Sequence, residues 1–429
     1  MAALHRVSAA PVSVPRVAQS QPPIASVLAV VEGVLAAGKG EGMASPDVVI
    51  IGGGISGTAA AYELARLGVP VTLLEQGSLA SMASGWTLAG VRQSGREAPE
   101  IPLAMAAVER WGYLTEELGA DVEYRRNGNL RLIMDEDARP ATERRIAAEN
   151  ALGLKVEYLP DNRALREVAP ALAEWIPGAS FCPTDGHANP TAAVSAFAAA
   201  AQRLGAKILT ETRVEGIAVA GGKVQGVRTT EGILPADVVV VAAGIYSNAL
   251  TSPLGITIPY ELYRVSVIQT TPLPPHLAQV LGTSAADFAG RQQVDGRFRF
   301  TDGGMHWPHK LEDLTDGYEP VMPTLQAVSR AITSAVSLVP ALETARIARV
   351  WGGLVDITPD EIPVIERSQE IDGLVMAAGF SGHGFCLGPV TGQILRDLVV
   401  EGETPYPIEP FRRNRFTGNE VAGNASPLG

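Results

Sequence analysis

The chain has 429 residues, 46% of them hydrophobic and 19% charged, with a formal net charge of −12. That length and balance fit two or three globular domains and exclude a disordered chain. The negative charge argues against a nucleic-acid or anionic-membrane surface, and two cysteines without a C-x-x-C or His/Cys cluster argue against zinc or iron–sulfur ligation and fit a reducing compartment.

Residues 1–45 are rich in Ala, Val, Pro and Ser and read as a disordered or weakly helical leader. They lack a basic segment leading into a clean apolar run, so they do not read as a signal peptide. Met43 is a candidate start. No apolar run reaches membrane-spanning length.

The next stretch, Asp47–Gln76, carries the strongest signal. Val48–Ile51 is fully apolar, as in a buried parallel strand. Gly52, Gly54 and Gly57 form G-x-G-x-x-G: one for the tight turn, one for backbone approach to a pyrophosphate, one for close helix packing. A helix then runs to Leu67 and stops at Gly68, its N-terminus open to phosphates. A second strand, Val71–Leu74, ends at Glu75, where a carboxylate can accept from a ribose 2′-OH. An acid there disfavours a 2′-phosphate and leaves NAD and FAD both open.

A Gly/Ser-rich loop, Gly77–Arg96, follows. Helical spacing covers Ile101–Leu118, an extended segment Arg125–Met134, and a helix Ala141–Leu152. Asn189-Pro190 opens a helix over Thr191–Leu204. Then come strands at Lys207–Leu209, Glu211–Val219 with Lys223–Thr229 as a hairpin across Gly221-Gly222, and Pro235–Gly244 as a buried strand and turn. Leu262–Thr271, Arg291–Gln293 and Arg297–Thr301 read as antiparallel strands, and Thr324–Leu338 as a helix. Arg346–Leu354, Leu374–Gly379 and a last helix from about Pro389 to Val400 complete the chain.

Four segments in order, the glycine turn, ASGWTLAGVRQSGR, ADVVVVAAGIYS and GFSGHGF, resemble the D-amino-acid oxidase family of FAD enzymes. That group includes sarcosine oxidase, glycine oxidase and the β subunits of imino-acid and opine dehydrogenases. The resemblance covers roughly residues 46–410. It implies an α/β fold: a Rossmann-type FAD-binding domain with an inserted α+β substrate domain containing an antiparallel sheet. The expected division is 46–95, 155–255 and 345–412 for FAD, 96–154 and 256–344 for substrate, and 413–429 as a tail.

The resemblance also implies the cofactor contacts. They are Gly52, Gly54, Ile55, Ser56, Gly57, Glu75, Gln76, Ser84, Gly85, Trp86, Thr87, Val214, Ala243, Gly244, Gly379, Gly382, His383, Gly384 and Phe385. Val214 matches the strand that meets the adenine; Gly382–Gly384 match the turn beside the flavin pyrimidine ring. Some relatives attach flavin through a histidine of a Trp-His pair, or through a cysteine before a Thr-Pro-Asp-Glu motif. Here those positions are Thr87 and Gly353, so non-covalent FAD is expected.

The reaction implied is oxidation of a carbon–nitrogen bond by hydride transfer, giving an imine. The substrate is an amino or imino acid, with proline- or opine-like secondary amines favoured. The alternatives are a D-amino-acid or glycine oxidase, or the flavin subunit of a hetero-oligomeric dehydrogenase. Arginine suits the substrate carboxylate because its planar fork binds both oxygens. Arg92 and Arg96 fall near the family's anchor; contact with FAD phosphate or pairing with Glu97 and Glu100 is the other reading. Cys386 stands where sarcosine oxidase has a lysine, which counts against sarcosine itself, and reads as a small packing residue. Arg299 matches a lysine that promotes reaction with oxygen. The acceptor stays open between oxygen, a quinone and a partner subunit. His306 and His309 are weaker candidates for the substrate face, and His187 reads as structural. No metal site is expected, and the location expected is cytoplasmic.

Overall fold

In the computed structural model, residues 47–311, 314 and 321–416 are described; the leader, Met43 and residues 417–429 of the tail lie outside them. A six-stranded sheet runs in the order Val364–Arg367, Leu374–Ala378, Val238–Val241, Val48–Ile51, Val71–Leu74, Lys207–Leu209. Every pairing is parallel except the first, which is antiparallel. The strands Val48–Ile51 and Val238–Val241 are buried throughout, as their unbroken apolar sequence requires.

Helices Ile55–Arg66, Pro190–Arg203 and Gly384–Val400 pack on one face. A Cβ at Gly388 would stand 2.4 Å from Ile55 and one at Gly392 2.6 Å from Ala59, so the two glycines set this helix contact. A three-stranded antiparallel sheet, Val214–Ala220, Lys223–Thr229 and Gly232–Pro235, contributes to the apolar cluster on the other face. Its third strand has no counterpart in the sequence reading.

The second large sheet is mixed. In order it holds Met305–His306, Glu261–Pro272, Arg297–Asp302, Phe288–Gln292, Val280–Thr283, Asn129–Leu132, Ala179–Cys182 and Glu157–Leu159, with Ile347–Ile357 paired to Glu261–Pro272. Val280–Thr283 and Asn129–Leu132 pair parallel; the other pairs are antiparallel. The Leu325–Leu338 helix covers its apolar face, with Thr324 as N-cap accepting from Ala327 N.

Several expectations need correction. Glu157–Leu159 and Ala179–Cys182 join this sheet, although 155–255 was assigned to the nucleotide domain; neither segment is long enough to declare its partner in sequence. The single helix Ile101–Leu118 is two, Ile101–Trp111 and Leu114–Leu118, broken at Gly112-Tyr113. The last helix begins at Gly384 with Pro389 inside it, a position that forfeits one backbone hydrogen bond and is less expected than an N1 proline.

Candidate active site

The glycine turn is built for close approach. Gly52 has φ +115°, and a Cβ there would lie 2.3 Å from the Ala242 carbonyl oxygen. A Cβ on Gly57 would lie 2.0 Å from the Gly52 oxygen, which fixes how near the helix sits to the strand. The Ile55–Arg66 helix has no side-chain cap and no acid in its first turn. Its N-terminal dipole end therefore stays available to an anion, with Ile55 N donating to Ser84 Oγ at 3.0 Å. Glu75 is already oriented: its Oε2 accepts from Gly53 N at 2.7 Å and its Oε1 from Gly77 N at 2.8 Å.

From this turn one cleft runs between the two large sheets. It is lined by Gly52, Gly54, Ile55, Ser56, Glu75, Gln76, Ser84, Trp86, Thr87, Val214, Ala243, Gly244, Gly382, Gly384 and Phe385, and by Arg92 and Arg96. Gly57, Gly85, Gly379, His383 and Arg299 do not line it. Gly57 and Gly85 serve packing: a Cβ on Gly85 would meet the Ala80 oxygen at 2.0 Å. Gly379 N donates to Asp356 Oδ2 at 2.9 Å.

The far end of the cleft is cationic. Arg96 is 5% exposed; its Nε and Nη2 donate to the Arg92 carbonyl at 3.1 and 3.0 Å, and its Nη1 faces Glu100 Oε1 at 3.2 Å. Glu100 Oε2 accepts from His383 Nδ1 at 2.8 Å. Burial alone would raise the Glu100 carboxyl, but His383 and Arg96 hold it below the usual range. Burial and Arg96 push His383 down to about 4. His383 is thus neutral at pH 7, with its proton on Nδ1 and a buried Nε2 that accepts from no described residue. Glu100 and Arg96 surround its ring, while its neighbours Gly382 and Gly384 line the cleft.

Arg92 Nη1 donates to the Ser94 and Gly95 carbonyls at 3.3 and 3.2 Å, and burial with Arg96 and Arg131 nearby lowers its pKa to about 9. Cys386 Sγ donates to the Arg92 oxygen at 3.3 Å, and burial pushes the thiol up to about 11, so it packs as a neutral group. Arg299 lies behind the cleft wall. It donates to the Thr87 carbonyl at 2.7 Å and stacks 4.9 Å from the Trp351 ring, while Trp351 Nε1 donates to Trp86 O at 3.3 Å. His187 is buried against Arg291 at 3.1 Å, and neither His306 nor His309 lines the cleft.

The sequence reading missed Asp185, Arg131, Asn129 and Asp356, and gave Glu100 only as a pairing partner. Asp185 holds the 92–96 loop, accepting from Gln93 N at 2.8 Å and Ser94 N at 3.3 Å. Asp356 lines the cleft, and burial raises its pKa to about 6. The i, i+4 spacing of Arg96 and Glu100 was the available signal; Asn129, Arg131 and Asp356 reach the site from distant strands and Asp185 from a distant turn.

A dinucleotide turn, a helix N-terminus aimed into the cleft and a second sheet closing its far end define a dinucleotide-dependent oxidoreductase. The chain belongs to the DAO family, FAD dependent oxidoreductase, whose family model matches residues 47–398. It is similar to glycine oxidase of Geobacillus kaustophilus (strain HTA426), 28% identical over 87% of this chain and 97% of the relative. Sarcosine oxidase subunit beta of Arthrobacter sp is 28% identical over 88% of this chain and 93% of the relative. 4-Methylaminobutanoate oxidase (formaldehyde-forming) of Paenarthrobacter nicotinovorans is also 28% identical over 87% of this chain, which spans 46% of that protein's length. Among solved structures, L-proline dehydrogenase from P. horikoshii matches with TM-score 0.78 at 29% identity, over 87% of this chain and 98% of that one.

The cofactor of the family is FAD, and the cleft fits it: glycines that admit no Cβ, a helix N-terminus with no acid in its first turn and Glu75 stand at the nucleotide end. Among the described residues there is no group of side chains suited to a metal ion, and no helix is long and apolar enough to cross a membrane.

Proposed function

We propose that the chain oxidises the carbon–nitrogen bond of an amino or imino acid, a secondary amine being favoured, to an imine that water hydrolyses. The observation that carries this reading is the joining, in one cleft, of the dinucleotide turn to an arginine-lined end. Gly52, Gly54 and Glu75 would hold FAD, which would supply the acceptor for the hydride on the carbon that bears the nitrogen. The protein's part is to hold the carboxylate and keep that carbon in place. Arg92 and Arg96 are both candidate anchors from the sequence, and Arg92 is favoured because the Arg96 guanidinium is engaged by the Arg92 carbonyl and Glu100. Arg96 supports the Arg92 carbonyl and balances Glu100, and Arg299 supports the Trp86-Thr87 segment.

Non-covalent FAD is supported by Thr87 in place of a histidine and by Gly353, where a Cβ would stand 3.0 Å from the Trp86 ring. Acid precipitation is expected to leave a colourless pellet; flavin that stays with the pellet contradicts this. A cytoplasmic location is supported by two cysteines that are both unpaired. A second reading, the flavin subunit of a hetero-oligomer, is favoured by the likeness to a sarcosine oxidase β subunit. The test is anaerobic mixing of the purified FAD-loaded chain with glycine, sarcosine, L-proline and N-carboxyalkyl amino acids. Bleaching of the flavin band supports the first reading, and reoxidation in air then identifies oxygen as an acceptor. No bleaching by any of them refutes catalysis by the chain alone.

A further inference from the structure

The strand Asn129–Leu132 presents two faces. Leu130 and Leu132 are fully buried in the apolar cluster beneath the large sheet. Strand alternation sends Asn129 and Arg131 to the opposite face, and both line the cleft. Asn129 Nδ2 donates to Ser94 Oγ at 3.3 Å, which ties this strand to the 92–96 loop.

Among the described residues, Arg131 has no counter-ion in contact. Burial and the nearby Arg145 push its pKa down to about 10. Glu149 and Glu361 act on it at a distance, but Glu149 Oε1 already accepts from Gly95 N at 2.9 Å and faces Arg145 Nε at 3.4 Å. Among the described residues, the Arg131 guanidinium makes no hydrogen bond and no ion pair. Its end converges with that of Arg92: a Cβ on Gly95 would stand 2.7 Å from Arg92 Nη1 and 3.1 Å from Arg131 Nη1. Two like charges brought together and withdrawn from water are costly, and an anion placed on them removes both penalties.

We infer that Arg131 is a specificity-determining residue that clamps the substrate carboxylate together with Arg92. The two guanidinium groups come from different elements, one from the loop after the short strand Gly90–Val91 and one from the large sheet. A carboxylate offers both oxygens and can engage both forks at once. The inference rests on the proposed function for the identity of the carboxylate's owner, an amino or imino acid. It selects substrates whose acid group is retained and rejects the corresponding amides and simple amines.

The test uses the full-length FAD-loaded protein and probes that cannot be oxidised: acetate, propionate and cyclopentanecarboxylate against cyclopentanecarboxamide, each read as a perturbation of the flavin absorbance band. Loss of one or two charge-assisted hydrogen bonds in R131M should weaken carboxylate binding about 10- to 100-fold. Carboxamide response and flavin content should stay as in the wild type. R131K, which keeps the charge but loses the planar fork, should fall between. If R131M does not retain flavin, R131Q supplies the same comparison. Unchanged carboxylate affinity in the neutral variant, or no carboxylate response in the wild type, overturns the inference. Neither result depends on turnover, so absence of bleaching by amino acids refutes the proposed function separately.

Discussion

Replacing Glu100 with glutamine isolates the buried charge system behind the cleft. The carboxylate is fully buried, with His383 Nδ1 at 2.8 Å on one oxygen and Arg96 Nη1 at 3.2 Å on the other. A glutamine has one acceptor oxygen and cannot serve both, so Arg96 or His383 loses its partner. An uncompensated buried charge costs about 3–5 kcal/mol. With roughly 2.1 cal/mol/K of unfolding entropy per residue over the roughly 360 described residues, the expected fall in Tm is about 4–7 °C. Differential scanning of the FAD-loaded proteins at pH 7 measures it. The pH dependence follows from the direction of the shift. Glu100 is held below its ordinary 4.5, so its contribution is present above that value and lost as pH falls through the lower folded value. The gap between wild type and E100Q should therefore be flat from about pH 6 to 8 and narrow below about pH 4.5. His383, shifted from 6.5 to about 4, makes both proteins lose stability as pH falls across that interval, because only the unfolded chain takes up the proton there. A Tm change under about 1 °C would show that these groups are not coupled as the geometry implies.

Gly57→Ala puts a methyl 2.0 Å from the Gly52 oxygen and must push the helix off the strand; FAD affinity should fall at least about tenfold, and purification with stoichiometric FAD would contradict it. Asp356, raised by burial to about 6, is a carboxylate whose ionisation costs stability above that pH, a cost that disappears as pH falls toward 3.8. D356N, which can still accept from Gly379 N, should gain about 1–3 kcal/mol at pH 8 and nothing at pH 4 in urea titrations; equal or lower stability at pH 8 refutes this.

Much of the cofactor half was legible because it is local. Gly52, Gly54, Gly57 and Glu75 lie within one strand–turn–helix–strand unit, and each is dictated by backbone geometry that sequence spacing encodes. The GFSGHGF block gave the family, though not the start of its helix. Gly384 begins that helix because Gly388 and Gly392 let it seat on Ile55 and Ala59, a contact between distant segments.

The sequence by itself determined a dinucleotide turn, its acidic residue and a resemblance that carries FAD. The cationic end of the cleft was decided only by tertiary structure. His383 meets Glu100 across 283 residues, and Arg131 reaches Arg92 because a parallel strand pairing sets Asn129–Leu132 beside Val280–Thr283 with its polar face toward the cleft. A lone arginine in an alternating strand looks solvent-facing in sequence. Burial without a counter-ion, visible only once the sheets close over it, is what marks it for a ligand.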